Sequence, residues 1–367
     1  MSLVQPRPFH PVRTAWVLAV LIAFFLYTVR RDARGPANPA WTGETMGTTY
    51  SIKLADSTLT QKQLAGLRTA VSGRLAELNR QMSHYRPDSE ISRFNRNRST
   101  DPFPVSESFA TVARFAVELN RQSDGAFDPA LAPLIDLWGF GPKGRRDAPP
   151  AEDDIRSALA VSGCRHLRVT DRGELQKDIP ELELDLGAVV PGFGADEVAR
   201  VIRSFGVSNL FVELGGEILA FGHNPDGGKW RVGIETPDAG RLPGSSIEAV
   251  LRVSGFAVAT SGDYRNYFEG PDGRRYTHIL DPRAGRPVRH NLASVSVAAG
   301  TCLEADGLAT ALFVMGAGEG PRWVEDRPGA AALFIVREED GSFREIASST
   351  FAAMTGYEPQ KNTDPAE

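Results

Sequence analysis

An acidic residue and a hydroxyl residue stand four positions apart between residues 304 and 316, and together they could bind a metal ion. Apolar residues recur at helical intervals through this segment, and Gly316 is placed to end the helix. On such a helix Asp306 and Thr310 project from one face, about one turn apart. A carboxylate and a hydroxyl are hard oxygen ligands, which suit Mg²⁺ and leave coordination positions open for phosphate. The alternative is that Asp306 caps the helix and Thr310 bonds back to the backbone.

The composition is that of a globular protein with a large core. Of the 367 residues, 41% are hydrophobic, which is enough for one large core or two packed lobes. The net charge is −5, and acidic and basic residues are interspersed along the chain. Because no basic stripe is present, nucleic acid is not an expected partner.

Cysteine and histidine usage argues against a disulfide framework and against zinc. Cys164 and Cys302 are far apart and have neither redox nor metal-ligand spacing, although a single bridge between them remains open. The six histidines include no His-x-x-x-His pair, so a zinc site is not expected.

The periodicity of the chain predicts a mixture of helices and short strands. Helices are predicted at residues 64–82, 106–122, 149–161, 193–205 and 306–315. Strands are predicted at residues 46–54, 166–169, 181–186, 209–213, 230–235, 249–253, 276–280 and 294–298. Hairpin-like strands beside separate helices indicate an α+β fold, not a doubly wound parallel sheet.

The amino-terminal segment is predicted to attach the protein to a membrane. Residues 14–29 form an apolar run with arginines on both sides. Sixteen helical residues rise about 24 Å, which is close to the ~30 Å hydrocarbon core if flanking arginines snorkel. A cleaved signal peptide is the alternative. Ala33-Arg34-Gly35 is a poor cleavage site, so an uncleaved anchor is favoured. The resulting division is a tail (1–13), an anchor (14–29), a linker (30–41), a folded domain (42–357) and a frayed tail (358–367).

A series of turn-rich motifs gives a more specific signal than any single residue. The eight motifs lie at residues 46–48, 82–95, 124–129, 137–140, 185–188, 212–218, 259–265 and 278–282. The helix with Asp306 and Thr310 closes the series. Each motif alone would be an ordinary turn, but eight in one order make chance similarity negligible. In this order the chain resembles the ApbE family, the FAD:protein FMN transferases, from about Thr42 to Tyr357.

The resemblance implies an enzyme that cleaves FAD and leaves FMN on a threonine or serine of a partner protein. AMP departs, and the acceptor would be a subunit of a membrane or extracytoplasmic redox complex. The implied fold is ApbE-like and T-fold-like, with mixed sheets and packed helices behind one membrane segment. The implied location is the inner membrane, single-pass, with the domain on the periplasmic side. The first alternative is a hydrolase that splits FAD to FMN and AMP.

The family pattern assigns a metal site and a candidate base. Asp306 and Thr310 would bind Mg²⁺ through their side chains, and Ala188 and Ala309 would add backbone carbonyls. His278 is the candidate base, because an imidazole titrates near neutrality and could take the acceptor's proton. Its alternative role is that of a strand-end histidine bonded to the backbone.

Flavin recognition is assigned to residues spread over five of the motifs. A tyrosine ring offers stacking area to a flat heterocycle, and a methionine adapts to its edge. The alternative for Tyr85 is a half-buried aromatic residue that follows a helix. The implied flavin contacts are Met46, Tyr85, Ala126, Phe127, Asp128, Asp185 and Ile279.

One position departs from the family pattern. After Asp185-Leu-Gly-Ala188 the family usually has a lysine before a glycine, and here Pro191 precedes Gly192. Proline suits the first turn of a helix, where its missing N–H costs nothing, but it supplies no charge. Pro191 is therefore a cofactor-site position at which FAD affinity is expected to be lower. A second alternative follows from it, an FAD-binding assembly factor with little catalysis.

Overall fold

The computed structural model describes residues 34–237, 247–264 and 266–358. Its centre is an eight-stranded sheet in which every neighbouring pair of strands is antiparallel. Across the sheet the strands are β1 (Ala40–Thr45), β2 (Thr48–Leu54), β5 (Leu210–Leu214), β6 (Glu217–Phe221), β9 (Phe256–Gly262), β14 (Leu292–Ala299), β15 (Ala331–Arg337) and β16 (Phe343–Ala347). Antiparallel strands beside separate helices confirm the predicted α+β class.

Four two-stranded antiparallel ribbons surround this sheet in the described part of the chain. They are β3 (Leu167–Val169) with β4 (Leu175–Lys177), β7 (Trp230–Glu235) with β8 (Ile247–Val253), β10 (Tyr267–Glu269) with β11 (Arg275–Thr277), and β12 (Leu280–Asp281) with β13 (Arg286–Pro287).

The helices of the described residues begin at polar caps in several cases. Thr60 and Gln63 form a capping box at the first helix, and Ser89, Ser106 and Thr301 accept backbone N–H groups at three others. The helices are α1 (Gln61–Met82), α2 (Glu90–Arg96), α3 (Glu107–Gln122), α4 (Ala132–Leu137), α5 (Glu152–Ala160), α6 (Val190–Ser204), α7 (Cys302–Glu325) and α8 (Phe351–Thr355).

The large sheet is buried on both faces. Helices α1, α6 and α7 cover one face, while the β7–β8 hairpin and α8 cover the other. Side chains alternate between these layers, so Val295 and Val297 of β14 pack toward the helices and Ala298 packs toward the hairpin. Burial on both faces explains why all of β14 is buried.

The predicted strand at residues 181–186 is wrong. This segment carries no strand, because side chains and a distant loop bind its backbone instead. The side-chain amide of Asn95 donates to the Leu184 carbonyl at 2.9 Å and accepts from the Leu184 N–H at 2.8 Å. The Asp185 N–H donates to the Pro129 carbonyl at 2.8 Å. The predicted strand at 276–280 is likewise divided between β11 and β12.

The long helix α7 is interrupted at Gly316. The backbone of Gly316 has φ 71°, and a second helical segment continues directly to Glu325. His290 donates from Nε2 to the Phe313 carbonyl at 2.7 Å, which satisfies an acceptor near the break. Gly316 thus ends the first segment as predicted, but not the helical stretch.

The structure answers the question of a disulfide bridge, while the predicted membrane anchor lies outside the residues that it describes. Cys164 and Cys302 are both free and buried, so the bridge left open by the sequence does not form. The predicted anchor at 14–29 and most of the predicted tail at 358–367 lie outside the described residues. Among the helices within the described ranges, none is long and apolar enough to cross a bilayer.

Candidate active site

A cavity of about 800 Å³ brings together residues from both halves of the chain. Its walls come from the ends of β5, β6 and β9, from β7, from α7 and from the loops before α2, α4 and α6. Ten of the 13 predicted site residues line it, namely Tyr85, Ala126, Phe127, Asp128, Asp185, Ala188, His278, Ile279, Asp306 and Thr310.

Three predicted residues lie behind the wall. Met46 stands in the β1–β2 turn with φ 51° and packs against the core, beside Gly194 of α6. Pro191 lies in the first turn of α6 and is half-buried. Ala309 is 1% exposed within the core on α7. The side chains of these residues therefore do not contribute to the cavity surface.

Asp306 is held where α6 and α7 approach each other closely. Its side chain is buried, and Oδ2 accepts the backbone N–H of Gly192 at 2.9 Å. A Cβ at Gly192 would stand 2.4 Å from the carbonyl oxygen of Cys302, so only glycine fits this contact. The first turn of α6, with Pro191 in it, is thereby fixed against the carboxylate.

The surroundings of Asp306 favour a bound cation. Burial, followed by the negative charge of Glu217, raises the pKa of Asp306 well above its usual range. One turn further along α7, the Thr310 Oγ1 lies 3.4 Å from the Ser261 Oγ, and both residues line the cavity. In the described residues no three His, Cys, Asp or Glu side chains cluster in a metal-binding arrangement. One carboxylate with neutral oxygens is a donor set that fits Mg²⁺.

Asp196 positions the start of α7, a role that periodicity and motifs did not reveal. From α6, its two carboxylate oxygens accept the backbone N–H groups of Cys302 at 2.8 Å and Leu303 at 2.9 Å. A carboxylate at a helix amino terminus satisfies free donors and complements the helix dipole. Burial raises the pKa of Asp196 to about 6. The contact ties together the two helices that hold the Asp306 site.

We expect Asp196→Ala to lower the free energy of unfolding by roughly 2–3 kcal/mol, because it leaves two buried backbone donors without an acceptor. Chemical denaturation measures this loss. Asp226→Ala is the matched control, since Asp226 is exposed on a turn and only its own backbone N–H is bonded, to Asn224. A loss no larger than that of the control would show that the capping contact does not stabilise the fold.

Two hydrogen bonds hold His278 against the Asn266 carbonyl, one from its backbone N–H at 3.1 Å and one from its ring, which defines the tautomer. Its Nδ1 lies 3.0 Å from the carbonyl oxygen of Asn266, and a carbonyl can only accept. Nδ1 therefore carries the hydrogen in the neutral ring, and Nε2 keeps a lone pair. Burial lowers the pKa of His278, which keeps the ring neutral near pH 7. A neutral ring with a lone pair on Nε2 is the state that a general base needs. The Phe140 ring packs edge-on against this imidazole.

His84 is a cavity residue that was not singled out from the sequence. Its ring lies 4.4 Å from the ring of Tyr85, which is itself 66% exposed. Its Nδ1 is 3.4 Å from Oδ2 of Asp185, whose Oδ1 accepts the Gly187 N–H at 2.7 Å. Burial, then Asp185 and then Asp136, raises the pKa of Tyr85. Two adjacent rings, tilted by 41° to each other, beside a carboxylate form a surface suited to a flat, polar-edged heterocycle.

Asp128 organises its loop through backbone contacts. Its Oδ1 accepts the Ala130 N–H at 2.8 Å, and its Oδ2 accepts the Cys164 N–H at 2.9 Å. Asn120 adds a longer contact of 3.3 Å to Oδ2. Burial raises the pKa of Asp128, which these donors oppose. The carboxylate therefore shapes the wall that Ala126 and Phe127 complete.

The cavity wall is rich in acidic groups. The described lining residues include no lysine or arginine, and they include six carboxylates, those of Asp128, Asp185, Glu213, Glu217, Glu235 and Asp306. A phosphate-containing ligand in such a cavity would be repelled unless cations accompanied it. A metal ion is therefore needed to offset this repulsion wherever a phosphate group lies against the cavity wall.

Comparison with known proteins gives one consistent family. The model of the ApbE family matches residues 46–334. The chain is 44% identical over 315 residues to the FAD:protein FMN transferase of Vibrio cholerae, covering 84% of this chain and 90% of that protein. The Salmonella typhimurium FAD:protein FMN transferase is 38% identical over 309 residues, covering 83% and 86% of the two chains.

Solved structures agree with the sequence matches. The structure of the flavin transferase ApbE from Vibrio cholerae superposes with a TM-score of 0.77 at 42% identity, covering 86% of this chain and 98% of that one. The apo flavinyl transferase ApbE from Pseudomonas stutzeri gives a TM-score of 0.77 at 39% identity, covering 87% and 97%. The family model, the sequence identities and the shared fold show that the chain belongs to the ApbE family.

Proposed function

We propose that this protein transfers FMN from FAD to a threonine or serine hydroxyl of a partner redox protein, with Mg²⁺ bound, and releases AMP. The observation that carries the proposal is the placement of Asp306, Thr310 and His278 on the wall of one cavity with Tyr85 and Asp185. A candidate metal pair, a neutral base and a flavin platform thus face the same space. The reaction class, transfer of FMN from FAD to a protein, is that of the similar FAD:protein FMN transferases.

The reaction needs a proton acceptor beside an electrophilic phosphorus. The acceptor hydroxyl attacks the FMN-side phosphorus, a phosphoester bond forms, and the anhydride bond to AMP breaks. His278 takes the hydroxyl proton on Nε2, while its Nδ1–H stays bonded to the Asn266 carbonyl. When bound, Mg²⁺ would neutralise charge on the pyrophosphate. Asp306 and Thr310 would hold it through side-chain oxygens, and Ala188 and Ala309 through the expected carbonyls.

The flavin end of FAD would be recognised by the group around Tyr85. Its exposed ring offers a stacking face, and the His84 ring supports it from the side. The Asp185 carboxylate can accept a hydrogen bond from an imide N–H at the polar edge of the flavin. This arrangement would place the ring system at one end of the cavity and the phosphates near Asp306.

The direct test is to incubate the purified protein with FAD, MgCl₂ and a candidate acceptor and to measure the mass of the acceptor. The proposal requires a mass gain equal to one FMN phosphoester and an equal amount of AMP. Release of FMN and AMP with an unmodified acceptor would instead identify a hydrolase. FAD binding without either product would identify an assembly factor.

Pro191 provides a prediction at the point where the chain leaves the family pattern. We expect Pro191→Lys to tighten FAD binding roughly ten- to a hundredfold, because a charge-assisted contact contributes about 1.5–3 kcal/mol. The first turn of α6 tolerates other residues. Pro191 itself lies behind the wall, so the prediction requires the longer lysine side chain to reach the cavity, where the described wall offers no competing lysine or arginine. Fluorescence titration with FAD measures the change. Equal or weaker binding would mean that another cation already serves there.

We also propose that residues 14–29 form a retained anchor and that the domain faces away from the cytoplasm. The motivation is the apolar run between arginines and the weak cleavage site after it. Amino-terminal sequencing of the mature protein should recover a start before residue 14. A start beyond residue 29 would refute retention. Protection of the domain from protease added to spheroplasts would refute the orientation.

A further inference from the structure

The exposed apolar surface of the described residues is concentrated around the cavity. Only three large hydrophobic side chains in those residues are exposed, Tyr85 by 66%, Ile247 by 50% and Val250 by 39%. Tyr85 lines the cavity. Val250 pairs across the β7–β8 hairpin with Gly233, and Gly233 also lines the cavity. The exposed apolar residues of β8 therefore border the rim of the site.

Ile247 fills the space that Gly233 leaves open on the hairpin. Its side chain lies 3.2 Å from the point that a Cβ at Gly233 would occupy. A small residue at this position lets the isoleucine lie flat across β7 beside the rim. The hairpin thus offers a low apolar surface that reaches the cavity edge.

Two arginines face each other on the same side of the hairpin. Arg231 of β7 pairs directly with Arg252 of β8, and both side chains are exposed. Like charges directly opposite each other destabilise a strand pair. Neither arginine makes an ion pair in the described part of the chain. The nearby Glu248 carboxylate accepts from Thr236 Oγ1 at 2.9 Å. An anionic partner would relieve the repulsion between the arginines.

We propose that this face of the β7–β8 hairpin, formed by Arg231, Gly233, Ile247, Val250 and Arg252, is the docking surface for the acceptor protein. The inference rests on the proposed function, because an acceptor hydroxyl must reach His278 from outside while FAD occupies the cavity. Strand β7 supplies both the cavity wall and the adjoining surface. The chain around the modified hydroxyl would carry acidic side chains against the arginines and an aliphatic side chain against Ile247 and Val250.

The test uses two fluorescein-labelled peptides that contain one threonine flanked by leucines and differ only in carrying aspartates or lysines. Fluorescence anisotropy should show the acidic peptide binding the wild-type protein roughly five- to thirtyfold more tightly than the basic one. Arg231→Glu/Arg252→Glu should reverse this preference. Raising the ionic strength should weaken binding of the acidic peptide to the wild type.

Arg168→Glu is the matched control, because Arg168 is an exposed arginine on the separate β3–β4 ribbon. It should leave the peptide preference unchanged. Val250→Ser should weaken binding of both peptides without altering which is preferred. Far-ultraviolet circular dichroism checks that each variant is folded.

The two proposals fail in different ways. Equal binding of the two peptides to the wild type, including no binding of either, overturns the docking surface. An unchanged preference in the double arginine variant also overturns it. Discriminating binding without FMN transfer to any acceptor would keep the docking surface and overturn the proposed function. FMN transfer to an acceptor without any preference between the acidic and basic peptides would keep the proposed function and overturn the docking surface.

Discussion

Asp306→Asn is expected to lower the rate of FMN transfer by on the order of 10³-fold while leaving the fold intact. The substitution removes the buried negative charge that the proposed Mg²⁺ site needs. Its amide oxygen can still accept the Gly192 N–H, so the α6–α7 contact persists. Because burial makes the Asp306 charge costly without a cation, the variant should unfold at the same or a higher temperature in EDTA. Activity should therefore fall without any loss of thermal stability.

The measurement combines transfer assays over a range of Mg²⁺ concentrations with thermal unfolding in EDTA. Glu304→Gln is the matched control, because it lies on the same helix, is partly buried and does not line the cavity. The control should retain transfer and its Mg²⁺ dependence. Normal transfer by Asp306→Asn, or wild-type transfer unaffected by chelation, would exclude a metal at this carboxylate.

Local patterns were sufficient for the fold class and for most helices. Apolar spacing predicted α1, α3, α5, α6 and the first part of α7, because each buries one face against a sheet or another helix. The strand at 181–186 was wrong because its alternation resembles a strand while Asn95, which is distant in sequence, takes its backbone bonds. A sequence window contains no information about such a partner.

The site was predicted from motif order more than from the chemistry of single residues. The ten convergent residues come from segments that no periodicity would have brought together. Asp196 and His84 were missed for a physical reason. Asp196 acts through the amino terminus of another helix, and His84 acts through a ring and a carboxylate brought close only by folding. Met46 and Ala309 were predicted site residues, and their side chains lie behind the wall.

His278→Ala should lower turnover by on the order of 10²–10⁴-fold while leaving FAD affinity nearly unchanged. Because the His278 ring is hydrogen-bonded to the Asn266 carbonyl, 3.0 Å away, and not to Tyr85 or Asp185, its loss should leave the flavin platform around Tyr85 in place.

The pH dependence of turnover distinguishes a base from a structural histidine, because replacing a purely structural histidine would not change the shape of the pH profile. A base must be neutral to accept a proton, so turnover should fall as the pH drops through the pKa of His278. Because burial lowers that pKa, the fall should occur below the ordinary value of about 6.5. In His278→Ala the residual turnover should lose this acidic limb, and added imidazole should restore part of the rate. His166→Ala is the matched control, since His166 bonds Asp178 outside the cavity and should leave the profile unaltered. If His278→Ala lost FAD binding together with turnover, or kept the acidic limb, His278 would be a structural residue and the proton would go elsewhere.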